Sequence, residues 1–198
     1  MTRTLLVPGI NGSPEPHWQH WWAATDPTAL TIEQREWADP APEAWEAEIA
    51  GAILTHPDSI LVAHSIGAVA AARVLSRWPQ LRVRAALLVA PAEPRLSERL
   101  KRFAPLPGRP LGLPVVVAAS RNDAWMSFAR AAALARAWGA ELADLGFAGH
   151  VNPASGYGPW PRGKELRDQL AARGASATPS VPAPAACEPL YRALGWAF

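Results

Sequence analysis

The sequence has little cysteine and no clustered charge, and both absences exclude whole classes of protein. Among 198 residues Cys187 is the single cysteine, so the chain cannot form an internal disulfide. No Cys/His spacing typical of a metal site occurs, and we expect neither a metal nor another cofactor. The 19 basic and 17 acidic residues are scattered and give a net charge of +2. This balance indicates no nucleic-acid partner and no anionic membrane partner.

Long apolar runs are also missing. No stretch reaches the roughly 18 apolar residues that a transmembrane helix needs, so we expect no membrane span. The N-terminal "MTRTLLVPGINGS" is apolar only briefly and reaches Pro-Gly at once, which is too short for a signal-peptide core. Together with the lack of disulfides, this favours a cytoplasmic protein.

What the chain does contain is an alternation of strand-like and helix-like segments. We predict strands at 3–9, 30–37, 58–64, 83–91, 113–120 and 140–146. We predict helices at 13–25, 42–54, 67–77, 127–139 and 161–174, with a short one around 96–103 inside a proline-rich excursion at 92–114. Such alternation is typical of an α/β fold with a mostly parallel sheet and helices on both faces.

The domain organisation follows from composition. The length suits one domain, and we assign residues 1–174 to it. The segment 175–187 is rich in proline and alanine and is interpreted as a linker. The segment 188–198 is a short apolar C-terminal stretch.

Three loops that follow predicted strands contain a serine, an aspartate and a histidine, in that order: Ser65, Asp123 and His150. In a parallel sheet, ligands bind beyond the carboxyl ends of the strands, where these loops meet. A serine on a strand-turn-helix, followed by an acid and then a histidine, is the order found in α/β-hydrolases. The histidine can take the serine's proton during attack on a carbonyl, and the carboxylate can orient the imidazole.

Each of these residues also has a simpler interpretation. Ser65 could cap the following helix, and His150 could be a loop histidine bonded to backbone. Asp123 could be a turn residue, with Asp144 as a poorer alternative for orienting the histidine. Position 63 is alanine where an elbow of this kind usually has glycine, so the pentapeptide alone is less specific.

An oxyanion hole needs two backbone N–H groups. We assign one to Ile66, directly after the serine, and the other to Ile10 in the glycine-rich loop "VPGINGS", with Asn11 as the alternative. Candidate substrate-binding residues are Asn11, His17, Trp18, Trp125 and Trp160, for each of which a structural role stays open. We interpret His64 as structural, because the alternation along a strand turns it away from Ser65.

Four segments resemble the small serine-hydrolase family that includes retinoblastoma-binding protein nine and YdeN. They are "VPGINGSPEPHWQHWW", "LVAHSIGAVAAARVL", "SRNDAWMSFARAAALARAWGAEL" and "LGFAGHVNPASGYGPWPRG", in the family's order. The resemblance implies a compact α/β-hydrolase with little or no cap domain. It also implies the triad Ser65, Asp123 and His150.

The resulting hypothesis is a serine hydrolase that cleaves small carboxylic esters, or less readily amides, through an acyl-enzyme on Ser65. The alternative is an interaction or regulatory module on a hydrolase fold with little or no catalysis. A dehalogenase would need a carboxylate where Ser65 stands. The expected partner is a small-molecule substrate, and the oligomeric state is left open.

Overall fold

Six parallel strands form a single sheet in the order β2-β1-β3-β4-β5-β6. The structure, a computed structural model, describes residues 2–176. Residues 177–187 of the predicted linker 175–187, and the segment 188–198, lie outside the described residues. The strands are β1 Thr4–Val7, β2 Ala29–Thr31, β3 Ser59–His64, β4 Val83–Val89, β5 Val115–Ala119 and β6 Glu141–Asp144. The winding reverses between β1 and β3, which places a ligand-binding crevice between the loops that follow these two strands.

Five α-helices cover both faces of the sheet. They are α1 Trp18–Thr25, α2 Pro42–Thr55, α3 Ile66–Arg77, α4 Phe128–Trp138 and α5 Pro161–Ser176. The core on one face combines apolar side chains of α2, α3 and α4 with the strands. The core on the other face uses α1 and α5. The predicted α/β architecture with helices on both faces is therefore confirmed.

The side chains of β1 alternate between the two cores on opposite faces of the sheet. Leu5 and Val7 point into the core beneath α2, α3 and α4. Leu6, between them, points into the core beneath α1 and α5. Successive strand side chains face opposite sides of a sheet, so a continuous apolar strand is buried on both faces, as parallel sheets require.

The helix signals at both ends of α4 are confirmed. The Ser127 hydroxyl accepts a hydrogen bond from the Arg130 amide at the N-terminus. Gly139 ends the helix with a φ of 67°, a left-handed conformation that glycine adopts without steric cost.

Most predicted strands are a few residues shorter than expected, and two predicted elements are shorter by five residues each. The helix predicted from 13 begins only at Trp18 with His17 as its N-cap, because the residues before Pro14 and Pro16 are disfavoured from helical conformation. The strand predicted at 30–37 ends at Thr31, opposite Leu6. Beyond that point β1 runs into Pro8, so 32–37 has no strand to pair with.

The proline-rich segment between β4 and β5 packs onto the domain instead of forming a cap. In place of one helix around 96–103 it has two single-turn 3₁₀ helices, Pro94–Leu96 and Lys101–Phe103. Leu100 and Phe103 are buried in the core beneath α2, α3 and α4. Arg102 anchors the segment to the Asp39 carboxylate at 2.6 Å. The segment is thereby part of the same compact unit.

Among residues 2–176, no helix is both long and apolar enough to cross a bilayer. Within the same residues, no three His, Cys, Asp or Glu side chains are grouped so that they could hold a metal ion.

Candidate active site

Ser65 lies on the sharp turn that joins β3 to α3. Its φ of 57° and ψ of −126° are unusual for a residue with a side chain, and such strain concentrates at functional sites. Ser65 occupies the N-cap position of α3, yet its hydroxyl makes no hydrogen bond to the helix. The simple capping interpretation therefore fails, and the hydroxyl is left for another partner.

The loop that follows β1 lies directly against this turn and the start of α3. A Cβ at Gly67 would lie 2.2 Å from the Pro8 carbonyl oxygen, and a Cβ at Gly9 would lie 2.8 Å from Ser65 Cβ. Both positions therefore need glycine. Ala63, where a glycine is more usual, is fully buried in β3, so its methyl group fits the core.

His150 and Asp123 complete a continuous hydrogen-bonded chain with the serine. His150 Nε2 lies 2.9 Å from Ser65 Oγ. On the other side of the ring, Nδ1 lies 3.0 and 2.9 Å from the two Asp123 carboxylate oxygens. Because a carboxylate can only accept, the Nδ1 proton belongs to His150 and Nε2 is free to accept from the serine hydroxyl. The three predicted residues are thus brought together.

The geometry also separates the two candidate aspartates. Asp123 is held in place by accepting the Trp125 amide at 2.8 Å. Asp144 instead pairs with Arg121 at 2.6 Å and accepts the Gly146 amide, and both of these contacts are on the surface. The neighbouring Arg121 hydrogen bonds lower the pKa of the Asp144 carboxyl. Asp123 is therefore the carboxylate placed to orient His150.

The glycine-rich loop after β1 lies beside the serine, as predicted. The Asn11 amide donates to the Trp37 carbonyl at 3.1 Å, and the Gly12 amide donates to the Gly9 carbonyl at 3.1 Å. For the Ile10 amide, residues 2–176 supply no such acceptor. Ile66 is the first residue of α3, where a helix leaves its N–H groups without intrahelical partners. This arrangement favours Ile10 over Asn11 as the loop donor.

A cleft of about 360 Å³ opens beside Ser65, and three predicted substrate-binding residues lie in its wall: Asn11, His17 and Trp125. The Trp125 ring is centred 6.0 Å from the His150 ring. Leu100, from the segment between β4 and β5, adds apolar surface. The cleft therefore combines the Ser65 hydroxyl with walls that suit an apolar group.

Trp18 and Trp160 do not line this cleft, contrary to the prediction that they contact substrate. Trp18 is 0% exposed and Trp160 is 6% exposed. Their rings pack edge to face, 5.1 Å apart, in the core beneath α1 and α5. Large apolar rings next to a strand end can fill the core or line a pocket, and here burial against the sheet prevails.

Two further histidines lie close to His150. The His64 ring centre is 5.0 Å from that of His150 and 4.9 Å from that of His17. Burial, and then the charge that His150 can take up, lowers the pKa of His17 to about 4 and that of His64 well below its ordinary value. Both are therefore neutral at neutral pH.

Two residues for which the sequence predicts no role shape the histidine loop. Ser120 Oγ accepts the Ala148 amide at 2.9 Å, and Asn122 Oδ1 accepts the Gly149 amide at 2.8 Å. Both stand in "SRND", directly after β5. Small polar residues just before the aspartate are the feature of the sequence that could have indicated this role. A third loop contact involves Ser155, whose hydroxyl accepts the His150 amide at 3.1 Å.

The profile of a family described as serine hydrolase matches residues 4–169 of this chain. The chain belongs to this serine hydrolase family. A search of curated proteins found no match. Among solved structures, a YdeN-like hydrolase from Pectobacterium atrosepticum is 36% identical to this serine hydrolase, with a TM-score of 0.80. That alignment covers 88% of this chain and 92% of the other.

More distant structures share the fold of the serine hydrolase. The ydeN gene product from B. subtilis is 19% identical, with a TM-score of 0.73 and coverage of 87% of this chain and 100% of that one. Est1E from Butyrivibrio proteoclasticus, with ferulic acid bound, is 10% identical with a TM-score of 0.67. Coverage there is 89% of each chain. At these identities the likeness establishes the α/β fold alone.

Proposed function

We propose that this serine hydrolase cleaves small carboxylic esters, and amides less readily, through an acyl-enzyme on Ser65. The observation that most supports the proposal is the continuous chain from Ser65 Oγ through His150 to the Asp123 carboxylate, with contacts of 2.9 to 3.0 Å. Distances of this size allow proton transfer between a nucleophile and its base without rearrangement.

In the first half of the reaction, Ser65 Oγ bonds to the ester carbonyl carbon while its proton passes to His150 Nε2. The carbonyl oxygen becomes an oxyanion, which the amides of Ile10 and Ile66 stabilise. Asp123 stabilises the imidazolium and keeps it in the right orientation. Collapse of the intermediate breaks the bond to the alcohol, which takes the proton from His150 and departs.

In the second half, water replaces the alcohol. It attacks the acyl carbon while its proton passes to His150, and collapse returns Ser65 Oγ with that proton and releases the acid. The base and the oxyanion donors serve both halves, so the mechanism needs only groups that this chain supplies.

The size of the cleft supports small substrates. Its volume of about 360 Å³ is near the lower end of the range for ligand sites. Leu100 and Trp125 offer apolar walls, whereas Asn11 and His17 offer hydrogen bonds. A short or medium acyl chain suits this combination, and a long one would extend beyond the cleft.

The test is a panel of p-nitrophenyl esters of increasing acyl length, run beside aminoacyl p-nitroanilides. We expect the short esters to be hydrolysed fastest and to give an initial burst of p-nitrophenol. Ser65→Ala should lower kcat by roughly 10⁴-fold or more. Ser76→Ala, at the far end of the same helix and bonded to Arg109, is the matched control and should keep wild-type activity.

Equal ester hydrolysis by wild type and Ser65→Ala would contradict the proposal. So would a folded wild type that hydrolyses no member of the panel and instead binds a protein partner tightly. The second outcome would favour the interaction module.

A further inference from the structure

Two successive carbonyl groups of the histidine loop each accept a hydrogen bond from a buried ring. His64 Nε2 lies 2.9 Å from the His150 carbonyl oxygen. Trp18 Nε1 donates to the Val151 carbonyl oxygen, also at 2.9 Å. The two donors come from separate elements, the end of β3 and the start of α1, and their rings meet edge to face, 5.9 Å apart.

The backbone between these two carbonyls is strained. Val151 has a φ of 50°, and a residue with a branched Cβ rarely adopts this left-handed conformation. The Val151 side chain is fully buried, so the loop cannot relax by turning it to solvent. A strained conformation persists only where its surroundings over-determine it, and the two ring donors are positioned to do so.

We propose that His64 and Trp18 are positioning residues. Their hydrogen bonds to the carbonyl oxygens of His150 and Val151, respectively, form a clamp that sets the distance from His150 to Ser65. The proposal rests on the proposed function, in which His150 is the base. Trp18 does not line the cleft beside Ser65, whereas His64 forms part of its wall. The role proposed here for His64 is its hydrogen bond to the His150 carbonyl oxygen. The role of the two residues is distinct from that of Ser155, which holds the amide side of His150.

The protonation of His64 suits this role. A carbonyl oxygen can only accept a hydrogen bond, so His64 donates through a protonated Nε2. Burial keeps the ring neutral at neutral pH. The clamp therefore holds the loop without adding a positive charge beside His150, which must itself become positive during the reaction.

The test compares variants that remove an N–H donor with a variant that keeps one. His64→Leu removes one donor, and His64→Gln keeps an N–H at a similar reach. Trp18→Phe removes the other donor while retaining an aromatic ring. We expect His64→Leu and Trp18→Phe to lower kcat by roughly 10- to 100-fold with little change in KM, because a small misplacement of the base slows chemistry more than binding. His64→Gln should recover most of kcat.

Val151→Gly provides the second, independent arm. Glycine adopts the left-handed conformation without strain, so the loop should depend less on its clamp. In the Trp18→Phe background, Val151→Gly should therefore raise kcat by about tenfold, although it repairs no contact. A merely structural loss at Trp18 would not be rescued by removing more buried side chain.

The outcomes separate the two proposals. Thermal melts of every variant confirm that the comparison is between folded proteins. Equal kcat in His64→Leu and His64→Gln, or no rescue by Val151→Gly, would overturn the clamp while Ser65-dependent hydrolysis by the wild type still stands. If Ser65→Ala hydrolyses the esters as fast as the wild type, the proposed function and the clamp are both overturned.

Discussion

Gly67 is the position at which one added methyl group should do the most damage to the site. A Cβ there would lie 2.2 Å from the Pro8 carbonyl oxygen and 2.7 Å from the Val7 carbonyl oxygen. Both obstructing atoms are backbone, so neither can rotate out of the way. Gly67→Ala must therefore push the start of α3 away from the loop that follows β1.

The size of the effect follows from this displacement. Relieving the contact requires the helix and the loop to separate by about 1 Å, and overpacking of this kind costs about 1–3 kcal/mol or more. Because the clash involves two carbonyls, we expect about 3 kcal/mol of lost unfolding free energy. For a domain of this length that corresponds to a fall in Tm of roughly 6–12 °C. Activity should also fall, because the same movement separates Ile10 from Ser65.

Gly51→Ala is the matched control, and its effect on stability should be opposite to that of Gly67→Ala. Gly51 lies in the middle of α2, and a Cβ there would meet no heavy atom within 4 Å. Gly51→Ala should stabilise the protein by about 0.5–1 kcal/mol, since alanine loses less backbone entropy in a helix. The assay is thermal denaturation followed by circular dichroism, with ester hydrolysis measured on the same samples. A Gly67→Ala protein with wild-type Tm and activity would refute the close approach.

Two further predictions concern charge at the site. Asp123→Asn should lower kcat by roughly 10⁴-fold in the ester assay, because an amide can stabilise the wrong tautomer of His150. Asp144→Asn, on the surface, should keep kcat, and equal losses in the two variants would refute the assignment of Asp123. The second prediction is a pH dependence of stability. Burial, then the charge of His150, lowers the pKa of His17 from 6.5 to about 4, so the unfolded chain binds the proton first. The contribution of His17 is therefore full above pH 6.5 and is lost as pH falls towards 4, by up to about 3 kcal/mol. His17→Asn keeps an acceptor for the Gln19 amide. It should reduce the change of the unfolding free energy with pH across this window, as measured by urea titration. An unchanged slope would contradict the lowered pKa.

The sequence was sufficient for elements whose signals are local. The core-facing apolar run of β3 and the capped, periodic helix α4 lie within two residues of their predicted bounds. The order of serine, aspartate and histidine after three strands predicted which side chains the sheet would bring together. Parallel strands place their carboxyl ends at one edge, so this inference needed only the strands and their order along the chain.

The rest depended on tertiary contacts that no local pattern encodes. The alternation at 30–37 resembles a strand, but its length was decided by where β1 ends. From the sequence alone, Trp18 could line a pocket or fill the core. Its hydrogen bond to the Val151 carbonyl joins residues 133 positions apart in the chain. The support from Ser120 and Asn122 likewise joins loops that the sequence keeps apart.

The central claim is that Ser65 is the activated nucleophile, and covalent labelling tests it most directly. Folded wild-type protein treated with a fluorophosphonate probe should gain the mass of one phosphonyl group, and peptide mapping should place it on Ser65. Ser65→Ala should gain no mass, and His150→Ala should be labelled far more slowly, because the base that takes the serine's proton is gone. Equal labelling of Ser65→Ala, or a label on another residue of the wild type, would contradict the account.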